Sequence, residues 1–177
     1  WGVHLIDQVM QLFPEKVVSV NAHLFGLYGS EVDDNIKLFL RFESGVSVLL
    51  EMATNCFIQH PRWHVSGTEG TLQVDDWSCK GKIVKLHPDG AFTWADDIVY
   101  TEAGPTRTMA PRPKHTTEEM PLPEVKADWT EYYKNIVDVL DHGAELIVKP
   151  EEALRVMKVI DALFASEEAG CGLKVDI

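Results

Sequence analysis

Along residues 3–13 the apolar side chains Leu5, Ile6, Val9, Leu12 and Phe13 return every three or four positions, while His4, Asp7, Gln8 and Gln11 occupy the opposite stripe. That spacing matches the helical repeat and predicts an amphipathic helix, which Pro14 ends because proline cannot donate the next backbone hydrogen bond. From residue 16 to 26 the period shortens to two. Val18, Val20, Ala22 and Leu24 alternate with Ser19, Asn21 and His23, the pattern of a half-buried strand, and Gly26 and Gly29 punctuate the loop beyond it.

Residues 35–42 and 46–53 are two β-rich runs joined by Glu43-Ser44-Gly45, a hairpin signature. A second pair follows at 63–66 and 71–74, about the turn Gly67-Thr68-Glu69-Gly70. A strand at 82–86 runs into the turn signal His87-Pro88-Asp89-Gly90, with 91–94 or 97–101 available to return along it. Residues 102–125 hold Pro105, Pro111, Pro113, Pro121 and Pro123, which predict loop or sheet edge. A loop of that length is expected to be functional, an interface arm or mobile. Beyond it Trp129, Tyr132, Tyr133, Ile136, Val137 and Leu140 form a helical stripe ended by Gly143, and the three aromatic residues are expected in the core. Pro150 opens a last helix carrying Leu154, Val156, Met157, Ile160, Leu163 and Phe164, Gly170 stops it, and 173–177 is a closing strand.

Helix, strands, two helices and a terminal strand form an α+β order rather than a βαβ alternation. The expected architecture is a mostly antiparallel, open-faced sheet with helices packed on one face, in one domain spanning 1–177. The other face needs a cover, and a second copy of the same sheet is the simplest one, so a two-fold homodimer is expected.

Composition narrows the setting. The 177-residue chain is 45% hydrophobic and 25% charged, ordinary for a folded water-soluble domain, and its net charge of -12 repels a phosphate backbone, so nucleic acid is not expected as a partner. Apolar runs such as 46–50 are far shorter than the ~20 residues that span a bilayer, so no membrane partner is expected either. Cys56, Cys79 and Cys171 are odd in number and widely spaced, which reads as reduced thiols in a cytoplasmic protein. The chain is already within a helical pattern by Gly2, so an upstream segment is expected to be missing.

Two residues stand out chemically. His4 and Asp7 lie three apart on one helix face, close enough for the carboxylate to orient the imidazole in a general acid/base pair. The same residues also serve simply as the polar stripe that an amphipathic helix requires. His60 and His64 resemble a metal pair at i and i+4, but Pro61 argues against a helix, and along a strand they would stand ~13 Å apart at ~3.3 Å per residue, so no metal site is expected. Asn55, Gln59, Arg62 and Trp63 lie where a strand gives way to a loop, a common location for substrate contacts, although loops are polar by default. The turn 67–70 does not open a helix, and the chain has neither GxGxxG nor GxSxG, so no cofactor-binding residue is assigned.

Taken together, Gly2-Val3-His4-Leu5-Ile6-Asp7, then Gly67-Thr68-Glu69-Gly70-Thr71-Leu72, and last Glu151-Glu152-Ala153-Leu154-Arg155-Val156 with Asp161-Ala162-Leu163, Ala165-Ser166 and Gly170 resemble the C-terminal domain of the glucose-fructose oxidoreductase / inositol dehydrogenase (Gfo/Idh/MocA) family. The resemblance runs over nearly the whole chain. It implies a fold like the C-terminal domains of glyceraldehyde-3-phosphate dehydrogenase and dihydrodipicolinate reductase. It also implies an N-terminal Rossmann domain, absent from this chain, that binds NAD or NADP. His4 corresponds to the family's histidine, which exchanges a proton with a substrate hydroxyl as hydride moves to or from nicotinamide, and Asp7 to an acidic position that often follows it. The assisting aspartate would fall one residue before Trp1, and the assisting lysine in the absent domain.

The implied function is the substrate-binding and dimerisation half of an NAD(P)-dependent oxidoreductase acting on a sugar, polyol or related hydroxy compound, inactive alone. A non-catalytic sugar-binding or regulatory module and a purely structural dimerisation module of the same fold are the alternatives, since fold does not decide function.

Overall fold

The computed structural model describes residues 1–29, 32–87, 97–108 and 114–177. In chain order the elements are α1 (Gly2–Leu12), β1 (Val17–Phe25), β2 (Asn35–Phe42), β3 (Ser47–Ala53), β4 (Trp63–Ser66), β5 (Gly70–Val74), β6 (Gly81–Leu86), β7 (Asp97–Thr101), β8 (Gly104–Thr108), a 3-10 turn (Lys114–Thr116), β9 (Thr117–Pro121), α2 (Thr130–His142), α3 (Pro150–Ala169) and β10 (Leu173–Lys174). The fold class is α+β, and every strand pair among the described residues is antiparallel. The chain divides into two compact units, one made of residues 1–57 with 127–177 and the other of 58–126. The strands are shared among a sheet ordered β10-β1-β2-β3, a sheet ordered β4-β5-β6-β9, and the hairpin β7-β8, rather than lying in one sheet.

In the first unit the period-2 pattern decides which face is buried. Leu38, Leu40 and Phe42 of β2 and Val20 and Leu24 of β1 point into the core, against Val9 and Ile6 of α1 and Val156, Val159 and Leu163 of α3. A β-bulge between Val17 and Ser19 shifts the alternation, so Val17 is buried and Val18 only half-buried, which strict alternation from Val18 does not anticipate. Phe13, just beyond α1, meets Phe42 with ring centroids 5.2 Å apart.

The long helix α3 also completes the edge of β1. The short β10 pairs with β1 at Ser19 and Val20, and its continuation bonds Val17 and Val18. The amides farther along β1 are met by side chains of α3. Ala22 N–H donates to Ser166 Oγ (3.1 Å), the Ser166 hydroxyl donates onward to the Cys171 carbonyl (2.8 Å), and Leu24 N–H donates to Glu167 Oε2 (3.0 Å). Arg155 reaches from the same helix to the carbonyls of Phe13 and Glu15, tying α3 to the chain leaving α1. The aromatic stripe of α2 departs from expectation. Nothing on that helix is buried, and Trp129, Tyr132 and Tyr133 are exposed rather than in the core, because an apolar period identifies a face without identifying what covers it.

In the second unit the hairpin expected about 67–70 is β4-β5. Gly70 and Gly81 sit where the strands approach most closely, and a Cβ on Gly81 would collide with the Gln73 carbonyl. The proline-bearing stretch contains strands rather than loop alone. β9 pairs with β6 as an edge strand ending at Pro121, where a missing N–H costs least, and Lys85 faces Glu118 across the pair at 2.9 Å. β7 turns back on β8, not on β6. The turn expected at 87–90 lies largely, and the strand at 91–94 wholly, outside the described residues.

Ser166 is fully buried and its hydroxyl serves two backbone groups. Ser166→Ala leaves both unpaired and is expected to cost about 1–3 kcal/mol in urea unfolding. Lys158→Ala, on an exposed position of the same helix, is expected to stay within about 0.5 kcal/mol of the parent.

Candidate functional site

Helix α1 has one face committed to the core through Ile6, Val9 and Met10, which fixes the outward direction of the residues between them. His4 lies in its first turn and is exposed, with no side-chain hydrogen bond among the described residues. Its backbone N–H bonds the Trp1 carbonyl at 3.1 Å. Asp7 is half-buried, and its carboxylate accepts the Gln11 side-chain amide at 2.9 Å, one turn on. The structure thus places His4 and Asp7 on one helix, with the Asp7 carboxylate bonded to Gln11. Gln11 is the i, i+4 neighbour of Asp7 on the helix surface, the spacing at which side chains meet.

Beside α1, against β2 and β3, lies an apolar niche lined by Gly2, Leu5, Ile36, Leu50, Met52 and Leu163. The helix approaches β3 closely here, and a Cβ added to Gly2 would lie 3.2 Å from Met52 Cε. The niche, about 20 Å³, has room for about one water molecule. It is a packing feature rather than a sugar pocket.

The second unit carries a wider polar hollow, about 280 Å³ and open to solvent, lined by Gln59, Pro61, Gln73, Asp75 and Asp76. Gln73 Nε2 donates to Asp75 Oδ1 (2.7 Å), and Gln59 Nε2 to the Asp75 carbonyl (3.3 Å). Asp76 takes the Ser78 hydroxyl and the Ser78 N–H, and these bonds hold its carboxyl below the usual aspartate range despite some desolvation. Arg62 stacks over Trp77 with its guanidinium carbon 3.2 Å from the ring centroid. Of the four strand-end residues singled out in the sequence, Gln59 lines the hollow, Arg62 is engaged by Trp77, Trp63 opens β4, and Asn55 is exposed in the first unit. No sequence pattern marks Gln73, Asp75 and Asp76. Their positions become meaningful only once β5 is paired, because no local motif joins them to Gln59.

A dinucleotide fold requires parallel strands joined by helical crossovers, with a glycine-rich turn at a helix N-terminus. The antiparallel sheets of this chain offer no such cradle among the described residues. Nor does any group of three or more His, Cys, Asp or Glu side chains among them converge on a point that could hold a metal, and His60 and His64 lie in a loop and on β4. No helix of the described residues is long and apolar enough to cross a membrane.

Comparison with known proteins gives a consistent picture. Residues 1–73 match the GFO/IDH/MocA C-terminal domain. A solved NAD-binding protein from Listeria innocua superposes with a TM-score of 0.85 at 39% identity, over 99% of this chain and 50% of its own. An oxidoreductase from Bacillus cereus shares the fold with a TM-score of 0.73 at 16% identity, over 100% of this chain and 50% of its own. The chain therefore spans about half the length of these solved relatives. Among curated proteins none matches it.

The exposure of His4 separates its chemistry from the stability of the fold. His4→Ala is expected to change unfolding free energy by less than about 0.5 kcal/mol. Ile6→Ala, two residues on and in the core, should cost about 2–5 kcal/mol, both read by chemical denaturation.

Proposed function

From the premise that this chain belongs to the GFO/IDH/MocA C-terminal domain family, we propose that it is the substrate-side half of an NAD(P)-dependent oxidoreductase acting on a sugar, polyol or related hydroxy compound. The observation that carries this reading is the position of His4: on the first turn of a helix anchored in the core, exposed, and free of side-chain partners among the described residues. Such an imidazole can approach a substrate hydroxyl to hydrogen-bond distance and accept its proton as the carbon beneath gives up hydride. The hydride acceptor is a nicotinamide supplied by the rest of the polypeptide, so the 177-residue chain is silent by itself. Asp7, held by Gln11, helps set the polar face on which His4 stands. The three exposed cysteines, none of them in a disulfide, fit a reducing, cytoplasmic setting.

We also propose a homodimer through the outer face of β1-β2-β3. Phe39 lies between Asn21 and Leu49 across the three strands, and both apolar side chains are exposed. Helices α1 and α3 already occupy the opposite face, so this face is the one left for a partner.

The Asp7–Gln11 bond favours a second reading. It leaves His4 without a carboxylate to orient it, as a non-catalytic binding module or a structural dimerisation module would tolerate. Joining the chain to its upstream region and assaying NAD(P)-linked oxidation of a sugar and polyol panel separates the readings. His4→Ala should lower turnover by roughly a hundredfold or more, the scale of a removed general base. A cofactor-loaded protein indifferent to that substitution would instead be a binding module. Light scattering at micromolar concentration should report a dimer, and Leu49→Asp should shift it to monomer. A monomeric parent protein would remove the sheet-face interface.

A further inference from the structure

Helix α2 presents an apolar stripe that nothing among the described residues covers. Trp129, Tyr133 and Leu140 are 87%, 71% and 78% exposed, and Val137 joins them on the same side. The helix has only 13 residues, a length that is marginal in water without tertiary packing, and buries none of them. What holds it is local and exposed: Asp128 takes the Thr130 N–H and hydroxyl, Lys134 pairs with Asp128 and Glu131, left-handed Gly143 caps the last turn, and the Asn135 side chain bonds Glu145 and Ile147 in the loop beyond. An amphipathic helix secured in this way depends on a cover for its other side.

We infer that this stripe of α2 is the seat for the other half of the polypeptide, the half that carries the nucleotide in the reading above, on which this inference rests. The solved relatives are about twice as long as this chain, and the match uses nearly all of this chain and half of theirs. A second half in the same polypeptide faces α2 at an effective concentration of roughly millimolar, well above that of a free partner. A second copy of this chain fits less well, because the stripe is flanked by Glu131, Asp138 and Asp141 and the copy would bring a further net charge of -12 toward it. The size is appropriate too. Two aromatic rings of ~150–250 Å² each, with Leu140 and Val137, approach the ~600 Å² at which contacts between domains of one chain begin.

Hydrogen exchange read by mass spectrometry tests this in the 177-residue chain and in the chain joined to its upstream region. Amides of residues 130–142 should exchange roughly tenfold or more slowly in the longer protein, while those of β1 and β2 stay unchanged. Tyr133→Asp with Leu140→Asp in the longer protein should abolish that slowing without altering β1 and β2. Equal exchange in both lengths overturns the inference, and so does slowing in the short chain that grows with its own concentration, since a second copy would then be the cover. NADH titration of the longer protein keeps the two readings apart. Slowed α2 exchange without NADH binding supports the docking seat and removes the oxidoreductase reading, whereas NADH binding with unslowed α2 does the reverse.

Discussion

The buried face of β1 and β2 determines where the rest of the first unit goes. Leu38, Leu40 and Phe42 project to one side of β2 because the strand alternates, and apolar area of that size has to be removed from water. Two helices supply the cover. α1 brings Ile6, Val9 and Met10, and α3 brings Val156, Val159 and Leu163. Once those positions are inward, helical geometry turns His4 and Gln11 outward. The chemically interesting face of α1 is thus a consequence of packing on its opposite side. Ser166 and Glu167 extend the same constraint to hydrogen bonding, since α3 can lie along β1 only if the amides of Ala22 and Leu24 keep partners.

The antiparallel sheets bury apolar side chains well but offer no cradle for a dinucleotide among the described residues, and the niche beside α1 is too small for a sugar. An imidazole on a rigid helix, an open sheet face and an uncovered amphipathic helix are features that gain meaning from further protein.

Much of this was legible in the sequence, for identifiable reasons. α1, the β2-β3 hairpin and α3 have strong periods and clear boundary signals in Pro14, Gly45, Pro150 and Gly170, and their boundaries fall within two residues of the expected ones. The bulge at Val17 was hidden because it arises from pairing with β2 and leaves no local composition signal. β8 and β9 were obscured by prolines, which weaken a strand assignment without excluding an edge strand. Tyr132 and Tyr133 read as core because periodicity reports amphipathicity, not the identity of the cover. At the candidate site, spacing singles out His4 and Asp7 on one helix face. Spacing could not reveal that Gln11, equally near on the helix, takes the carboxylate.

The central claim is that the imidazole of His4 is the proton acceptor in a hydroxyl oxidation. Chemical rescue tests it most directly. In the protein joined to its upstream region, the His4→Ala variant is assayed with a turned-over polyol while free imidazole is titrated in. The account predicts that imidazole, able to occupy the vacated position and take the proton, restores turnover in a concentration-dependent way in the variant and not in the parent protein. A variant that turns over at the parent rate with no imidazole present would contradict it.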